Sequence, residues 1–198
     1  MAEHFDEVIA TDASDSQIKH AIPHAKVRYL VAAAESNPFI ADNSIELITV
    51  ASAIHWFNFD NFFSEAQRVL AKDGLIAAWV FHSTDGNSEF DSLIRNFQHD
   101  TVGAYFPEET RQWIWTDYKS IPFPFQEIAA PEFLLPIEWT ASDTLGYLST
   151  WSSVQRYTAD RGENPLTLIE DDLARILENE GGVIRRNWKL CLRVGRKK

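Results

Sequence analysis

Residues that can take part in binding or catalysis lie at the ends of three apolar, strand-like runs in the chain. Asp12 ends the first run, Glu35 follows the second, and His55 and Trp56 follow the third. A carboxylate at a strand end can accept hydrogen bonds from ribose hydroxyls, and an imidazole can act as a general base near neutral pH. We therefore expect the chemistry of this protein at the ends of these strands.

The third run is the one around which the other elements are arranged. Leu47 to Val50 is short and apolar, which favours a strand buried on both faces of a parallel sheet. The run turns small and polar at Ala51 and Ser52, and apolar residues at helical spacing predict a helix from Phe59 to Leu70. Ligands of open α/β sheets bind just outside the carboxyl ends of such strands.

The order of the predicted elements is that of an α/β fold. Strands are predicted at residues 7–12 and 27–34, and Leu75 to Phe81 is the strand after the central helix. Gly74 is expected to end that helix in a left-handed conformation. Ile184 to Val194 alternates between apolar and polar residues, which indicates an antiparallel strand. We predict a mostly parallel sheet that is completed by an antiparallel C-terminal strand.

The second half of the chain is predicted to carry an insertion followed by further helices. We expect residues 1–198 to form a single domain, with an aromatic-rich and proline-rich insertion at about 85–131, because no linker or internal repeat is found. The further predicted elements are a helix at 89–105, an irregular segment at 106–131, a strand at 133–139, a helix at 142–157 and a helix that begins at Asn164-Pro165.

Composition excludes several classes of protein. A formal net charge of −11 argues against binding to a nucleic-acid backbone, and no apolar run is long enough for a membrane helix. Cys191 is the one cysteine, so the chain has no internal disulfide and no cysteine-rich zinc site, and no His-Glu-x-x-His motif is present. We expect a cytoplasmic protein with a small-molecule substrate, without metal, nucleic acid or membrane as a partner.

The acids at successive strand ends favour a cofactor that contains adenosine. An acid after the second strand of a dinucleotide-type fold pairs with ribose hydroxyls, and an acid at the next strand end can meet the adenine edge. Ser14 and Gln17 have the spacing of a capping box, so Ser14 is expected to cap the next helix and leave the Asp12 carboxylate available. Acids at strand ends are also common as caps, so each acid alone is weak evidence.

Six features of the chain belong together as the parts of one known pattern. They are Asp12, Ala34-Glu35-Ser36-Asn37-Pro38-Phe39, Asp42 to Val50, Ala53-Ile54-His55-Trp56-Phe57, Arg68 to Leu75, and Trp151 to Tyr157. These segments resemble class I S-adenosylmethionine-dependent methyltransferases, most closely the type 11 and trans-aconitate methyltransferase-like group. The resemblance covers nearly the whole chain, is poor at 85–131, and implies a Rossmann-like methyltransferase sheet.

The resemblance implies that the cofactor is S-adenosyl-L-methionine and that it contacts all three strand ends. Its implied partners are Asp12 and Ala13 at the ribose, Ala34 and Glu35 around the adenine, and Ala51 and Ser52 beneath the methionine portion. Trp56 or Phe57 could face the sulfonium through a cation–π contact of about 0.5–2 kcal/mol.

The methyl acceptor determines which further residues are needed. His55 could act as the base for a hydroxyl or amine acceptor, or it could be a hydrogen-bonded structural histidine. A carboxylate acceptor would need a cation instead, and Arg111 or Arg156, with Tyr157, is the candidate. The competing interpretation is that both arginines are surface or ion-paired residues.

The chain departs from the resemblance at its amino end. The first strand and the glycine-rich loop of the family would lie just before Ala2, so we expect a sheet in which this N-terminal strand is missing. The gap could reflect a truncation or misassigned start, another strand could fill it, or a second copy could lend one in a homodimer formed through the incomplete sheet.

The sequence therefore leaves three functions open. The first is methyl transfer to a small molecule. The second is a degenerate, non-catalytic relative that acts as a binding or dimerising module. The third is a nicotinamide-dependent oxidoreductase, which is disfavoured because the Glu35 turn and the His-Trp-Phe segment fit it less well.

Overall fold

The structure is a computed structural model that describes residues 1–83 and 86–198. The chain forms two compact units. The first unit comprises residues 1–78, 121–129 and 193–198, and the second comprises residues 79–120 and 130–192. The expectation of a single domain over residues 1–198, with an insertion at about 85–131, stays a prediction.

Strands and helices alternate through most of the first half of the chain. The strands are β1 (Val8–Asp12), β2 (Val27–Val31), β3 (Ile45–Ala51), β4 (Leu70–Ser83), β5 (Gln126–Ile128), β6 (Phe133–Trp139) and β7 (Ile184–Arg196). The α-helices are α1 (Asp15–Lys19), α2 (Phe59–Val69), α3 (Glu89–Asn96), α4 (Glu108–Trp115), α5 (Ala141–Ser149), α6 (Ser152–Arg161) and α7 (Glu170–Asn179). Helical turns lie at Ile54–Trp56, Phe97–Thr101, Gly103–Tyr105 and Pro165–Leu168.

The strands pair in two separate sheets. β1 and β2 are parallel, with Val8 opposite Val27 and Asp12 opposite Val31. The other sheet has the order β3-β4-β7-β5, and β6 also pairs with β7. β7 is antiparallel to both β5 and β6, which confirms the predicted antiparallel C-terminal strand. The α/β class is confirmed, and in the described part of the chain the break between β1 and β3 agrees with the expected gap in the sheet.

The strands of the first unit are less buried than the sequence predicts. Val50 is buried, but its neighbours Thr49 and Ala51 are exposed, and Leu47 and Ile48 are half-buried. The prediction that Leu47 to Val50 is buried on both faces is therefore wrong. An apolar run in the sequence predicts a fully buried strand. The strand is buried in the structure only when other elements cover both its faces and both its edges.

Helix α2 contributes one face to the core of the first unit. Its apolar stripe buries Phe62, Phe63, Ala66 and Val69, as the helical spacing predicts. Asn58 begins the helix, because its side-chain oxygen accepts a hydrogen bond of 3.1 Å from the Asn61 N–H. The sequence therefore predicts both the existence and the buried face of this helix.

The predicted end of α2 at Gly74 is wrong. The helix ends at Val69 and the chain continues directly into β4, and the left-handed residue is Asp73, with φ of 63°. Gly74 is needed for close packing instead, since a Cβ there would lie 2.9 Å from the carbonyl oxygen of Ala71 and 3.1 Å from that of Ile45.

Lys197 satisfies the carboxyl end of α2. Its Nζ donates hydrogen bonds of 2.6 Å to the carbonyl oxygens of Gln67 and Leu70 and of 2.8 Å to the side chain of Asn43. Its own N–H donates to the carbonyl oxygen of Gly74 at 2.9 Å. A cation at this position also complements the helix dipole. Lys197, which lies in the basic run from Arg193 to Lys198, therefore has a structural role in the first unit.

The second unit is mainly helical, and its helices are shorter than predicted. The predicted helix at 89–105 ends as an α-helix at Asn96 and continues as the turns at 97–101 and 103–105. The predicted helix at 142–157 is two helices, because the backbone of Trp151 between them is extended, with φ of −65° and ψ of 131°. The hydroxyls of Ser149 and Thr150 donate hydrogen bonds to the carbonyls of Gly146 and Tyr147 at the end of α5.

The segment at 106–131 is more regular than predicted, since it contains α4 and β5. The strand at 133–139 is confirmed with the predicted bounds. Two apolar clusters hold the unit together, one of Phe90, Leu173, Ile176, Leu177 and Ile184, and one of Phe97, Val102, Leu148, Val154, Leu166 and Ile169. Within residues 1–83 and 86–198, no helix combines the length and the apolar character that crossing a bilayer requires.

Gly195 provides a stability test for the first unit. A Cβ at this position would lie 2.6 Å from both the Phe123 ring and the Phe125 Cβ, so Gly195→Ala should lower the free energy of unfolding by about 1–3 kcal/mol. Gly146 lies inside α5 with open space around its Cβ position, so Gly146→Ala should raise that free energy by about 0.5–1 kcal/mol. Urea unfolding followed by tryptophan fluorescence measures both, and an unchanged Gly195→Ala variant would contradict the packing.

Candidate nucleoside site at the strand ends

The ends of β1 and β2 lie side by side. Asp12 is opposite Val31, and the Ala32 N–H donates a hydrogen bond of 3.0 Å to the carbonyl oxygen of Asp12. The Asp12 side chain is exposed, as is that of Ala13. Parallel pairing thus brings the two strand ends to one edge, as the sequence predicts.

The Asp12 carboxylate is only partly available. Its Oδ1 accepts a hydrogen bond of 2.7 Å from the Ser14 N–H, and the Ser14 hydroxyl accepts one of 3.4 Å from the Gln17 N–H at the start of α1. The expectation that Ser14 leaves the whole carboxylate available is therefore wrong, because the backbone of Ser14 itself binds it. In the described residues no hydrogen bond to Oδ2 is found, so this oxygen is the one that a ribose hydroxyl could reach.

Glu35 connects the end of β2 to the start of α2. Its Oε1 accepts a hydrogen bond of 3.0 Å from the N–H of Asn58, the residue that caps the helix. Glu35 and Ala34 are both half-buried. This bond therefore connects the segment that follows β2 with the segment that follows β3.

The end of β3 adopts an unusual backbone conformation. Ser52 has φ of 48°, in the left-handed region that costs a residue with a Cβ about 1 kcal/mol or more. Ala51 and Ser52 are both exposed, so their backbone lies at the surface of the site. Such strain is frequent at functional sites, where the surrounding structure holds it in place.

His55 and Trp56 form a short helical turn after this strand. The His55 side chain is 6% exposed and its ring lies 5.1 Å from the Trp56 ring, whereas Trp56 is 41% exposed. Burial lowers the pKa of His55 to about 4, because a charged imidazole loses its hydration there. His55 is therefore neutral at physiological pH and a weak base, while Trp56 presents an accessible ring.

The predicted substrate residues lie together in the second unit, around the turn at Gly103–Tyr105. Arg156 donates a hydrogen bond of 3.4 Å to the carbonyl oxygen of Tyr105, and the Tyr157 ring lies 5.2 Å from the Tyr105 ring. An Arg111 nitrogen lies 3.5 Å from the position that a Cβ on Gly103 would take. The Arg111 Nε is buried and has no hydrogen-bond partner in the described part of the chain.

Sequence reasoning missed the residues that hold the loop between β2 and β3. Glu65 and Arg68 on α2 bind the main chain of this loop, and Asn37 within it is buried. The available signal was an acid and a base three residues apart on one helix. That spacing predicts a pair within the helix and says nothing of the loop that the pair binds.

Two open clefts lie elsewhere on the surface. One of about 450 Å³ lies beside α2 and is lined by Phe59, Asp60, Phe63, Ser64, Gln67, Pro122, Phe123 and Pro124. One of about 470 Å³ lies in the second unit and is lined by Ser149, Val154, Gln155, Thr158, Ala159 and Asn164. None of the predicted site residues lines either cleft.

Comparison with known proteins shows the family to which this chain belongs. The family model described as a methyltransferase domain matches residues 1–78. A solved structure described as a type II methyltransferase, from Anaeromyxobacter dehalogenans, is 32% identical, with a TM-score of 0.79 over 98% of this chain and 82% of that one. The chain belongs to the class I S-adenosylmethionine-dependent methyltransferases.

Other relatives support this family and its fold. A protein of Dictyostelium discoideum that is named as a methyltransferase is 28% identical over 184 residues, which are 92% of this chain and 70% of that protein. A methyltransferase structure from Anabaena variabilis is 20% identical, with a TM-score of 0.61 over 95% of this chain and 81% of that one, which shows the shared fold alone. The predicted Rossmann-like methyltransferase sheet is confirmed.

The burial of His55 predicts a specific pH dependence. Its pKa is about 4 in the folded protein and about 6.5 in an unfolded chain. The unfolded chain therefore binds more protons between these values, and the free energy of unfolding should fall by about 1–3 kcal/mol as the pH drops through that window. His55→Asn should lose this part of the slope, and His4→Asn, at an exposed histidine, should keep it.

NMR titration of the imidazole resonances measures the same quantity directly. We expect the His55 signals to stay those of a neutral ring down to about pH 5. A midpoint near 6.5 would contradict the buried placement.

Proposed function

We propose that this protein transfers a methyl group from S-adenosyl-L-methionine to a small-molecule acceptor, and that the acceptor group is a carboxylate. The observation that carries the proposal is that the segments after three strands are connected, through the pairing of Asp12 with Val31 and the hydrogen bond between Glu35 and Asn58. This edge is where α/β sheets bind nucleosides.

The residues at this edge suit the adenosine half of the cofactor. Asp12 would hold the ribose hydroxyls through Oδ2, with Ala13 beside it, and Ala34 and Glu35 would frame the adenine. Ala51 and Ser52 would lie beneath the methionine portion. The first glycine of the chain is Gly74, so residues 1–73 contain no glycine-rich loop for that portion.

Positioning is the main catalytic task in this reaction. The cofactor supplies a methyl group on a sulfonium, and in-line displacement requires the acceptor to be held behind that carbon. The exposed Trp56 ring could stabilise the positive charge by about 0.5–2 kcal/mol through a cation–π contact. Neither task needs a strong base.

The state of His55 favours a carboxylate acceptor. A histidine with a pKa of about 4 is poorly matched to removing a proton from a hydroxyl or an amine at neutral pH. A carboxylate is already deprotonated and needs a cation that orients it. Arg111 and Arg156, with Tyr157, would supply that group, because a guanidinium binds both oxygens of a carboxylate.

A second candidate function is a degenerate, non-catalytic member of the family that acts as a binding or dimerising module. The observation that favours it is the separation of β1 and β2 from the sheet that contains β3. Strand edges in this condition can pair with another chain, so a second copy would form a homodimer. The cytoplasmic location that we propose for either function fits a chain whose one cysteine, Cys191, is buried and has no second cysteine with which to form a disulfide.

Asp12→Ala tests the catalytic proposal. Loss of the hydrogen bonds from the ribose hydroxyls should weaken S-adenosyl-L-methionine binding by about 1–3 kcal/mol, measured by isothermal titration calorimetry. Asp15→Ala is the matched control, because Asp15 is also exposed and its partner is Lys19. An unchanged dissociation constant would remove Asp12 from the site.

The same titration separates the two functions. Folded wild-type protein that releases no heat at millimolar S-adenosyl-L-methionine would end the catalytic proposal. Analytical ultracentrifugation then tests the alternative, for which we expect a dimer that dissociates on dilution. A monomer at every concentration would reject pairing through the open sheet.

A further inference from the structure

The loop between β2 and β3 is held mainly by one arginine. Residues 35–43 contain turns rather than a strand or helix. Arg68 of α2 donates hydrogen bonds to the carbonyl oxygens of Asn37 at 3.0 Å and Ile40 at 2.9 Å, and to the Asp42 carboxylate at 2.5 Å. A single guanidinium thus satisfies three acceptors along the loop.

Glu65 fixes the orientation of this guanidinium. Its two oxygens accept hydrogen bonds of 2.8 Å from the Nε and Nη2 of Arg68, in the forked geometry of an arginine–carboxylate pair. One of these oxygens also accepts a bond of 2.7 Å from the Asn37 N–H. The hydrogen bond from Arg68 lowers the pKa of Glu65, so the pair is ionised throughout the neutral range.

Asn37 transmits this anchoring to the site. It is 7% exposed, and its side-chain nitrogen donates hydrogen bonds to the carbonyl oxygens of Ala33 at 3.3 Å and Ala34 at 3.2 Å. Ala34 and Glu35 are the residues proposed to frame the adenine. The backbone position of this frame therefore depends on Asn37, and Asn37 is bound through its own N–H and carbonyl oxygen by Glu65 and Arg68.

We infer that Arg68 and Glu65 are positioning residues for adenine recognition, which act through Asn37 on the Ala34-Glu35 segment. This inference rests on the proposed function. Lysine cannot replace Arg68, since one ammonium lacks the planar fork that binds Glu65 twice and reaches two parts of the loop. The role differs from that of a purely structural ion pair, because its effect should be confined to one end of the ligand.

Arg68→Lys tests the inference, with Arg175→Lys as the matched control. Arg175 is also on a helix surface and pairs with Asp172 three residues before it and with Glu89. We expect Arg68→Lys to weaken binding of S-adenosylhomocysteine and of adenosine by the same factor, roughly tenfold, as expected for a lost charged fork. KM for S-adenosyl-L-methionine should rise with kcat unchanged, and Arg175→Lys should alter none of these.

Hydrogen–deuterium exchange measures the positioning itself without any ligand. Arg68→Lys should speed exchange at residues 35–43 and leave α7 unchanged. If Arg68→Lys is too unstable to assay, Glu65→Gln removes one ionised partner and should act in the same direction. If wild-type protein binds no adenosine but Arg68→Lys speeds exchange at residues 35–43, the proposed function is rejected. The role of Arg68 in anchoring the loop would still hold in that case. Unchanged exchange, or loosening without loss of adenosine affinity in a binding-competent protein, would overturn the inference.

Discussion

The first unit depends on the backbone groups of α2 finding partners along the whole helix. Asn58 caps its amino end and donates its own N–H to Glu35, and Lys197 binds the carbonyls of the last turn. Buried helix ends without partners are costly, so these contacts are constraints on the rest of the chain. They also support the site, because the same helix that packs into the core binds Glu35 through its cap Asn58 and binds the loop between β2 and β3.

The break in the sheet between β1 and β3 has the opposite effect from the satisfied ends of α2, because it leaves strands without neighbours. β1 and β3 belong to different sheets, and strand residues that would be covered in a continuous parallel sheet are half-buried or exposed here, among them Val31 at 53%. Unpaired strand edges invite other strands, and apolar strand faces that remain accessible make such pairing favourable. The hydrogen bonds that α2 makes with neighbouring segments explain how the strand ends keep their positions beside this break.

Sequence patterns predicted the elements whose structure depends on local spacing. The buried stripe of α2 and the antiparallel β7 followed from periodicity, and β6 has the predicted bounds. Errors occurred where one extended residue or a close approach of backbones decided the structure, as at Trp151 and at Gly74. Asp12 and Glu35 could be selected as site residues from the sequence, because an acid at a strand end can bind a ribose or an adenine. Arg68 could not, because its partners are main-chain carbonyls of a distant loop.

Electrostatics at long range would oppose an anionic methyl acceptor, since the chain carries a formal net charge of −11. Exposed charges are screened over about 8 Å at physiological ionic strength, so the groups nearest the acceptor decide its binding. In the second unit, Arg111, Arg156 and Arg161 all border the turn at Gly103–Tyr105. Asp160 accepts a hydrogen bond from the Tyr105 hydroxyl, and Asp100, Glu108 and Glu109 lie within four residues of the turn in the sequence. The proposed carboxylate acceptor would therefore depend on a direct contact with Arg111 or Arg156 rather than on the net charge of this region. A hydroxyl or amine acceptor would instead need a base, which His55, at its low pKa, does not provide.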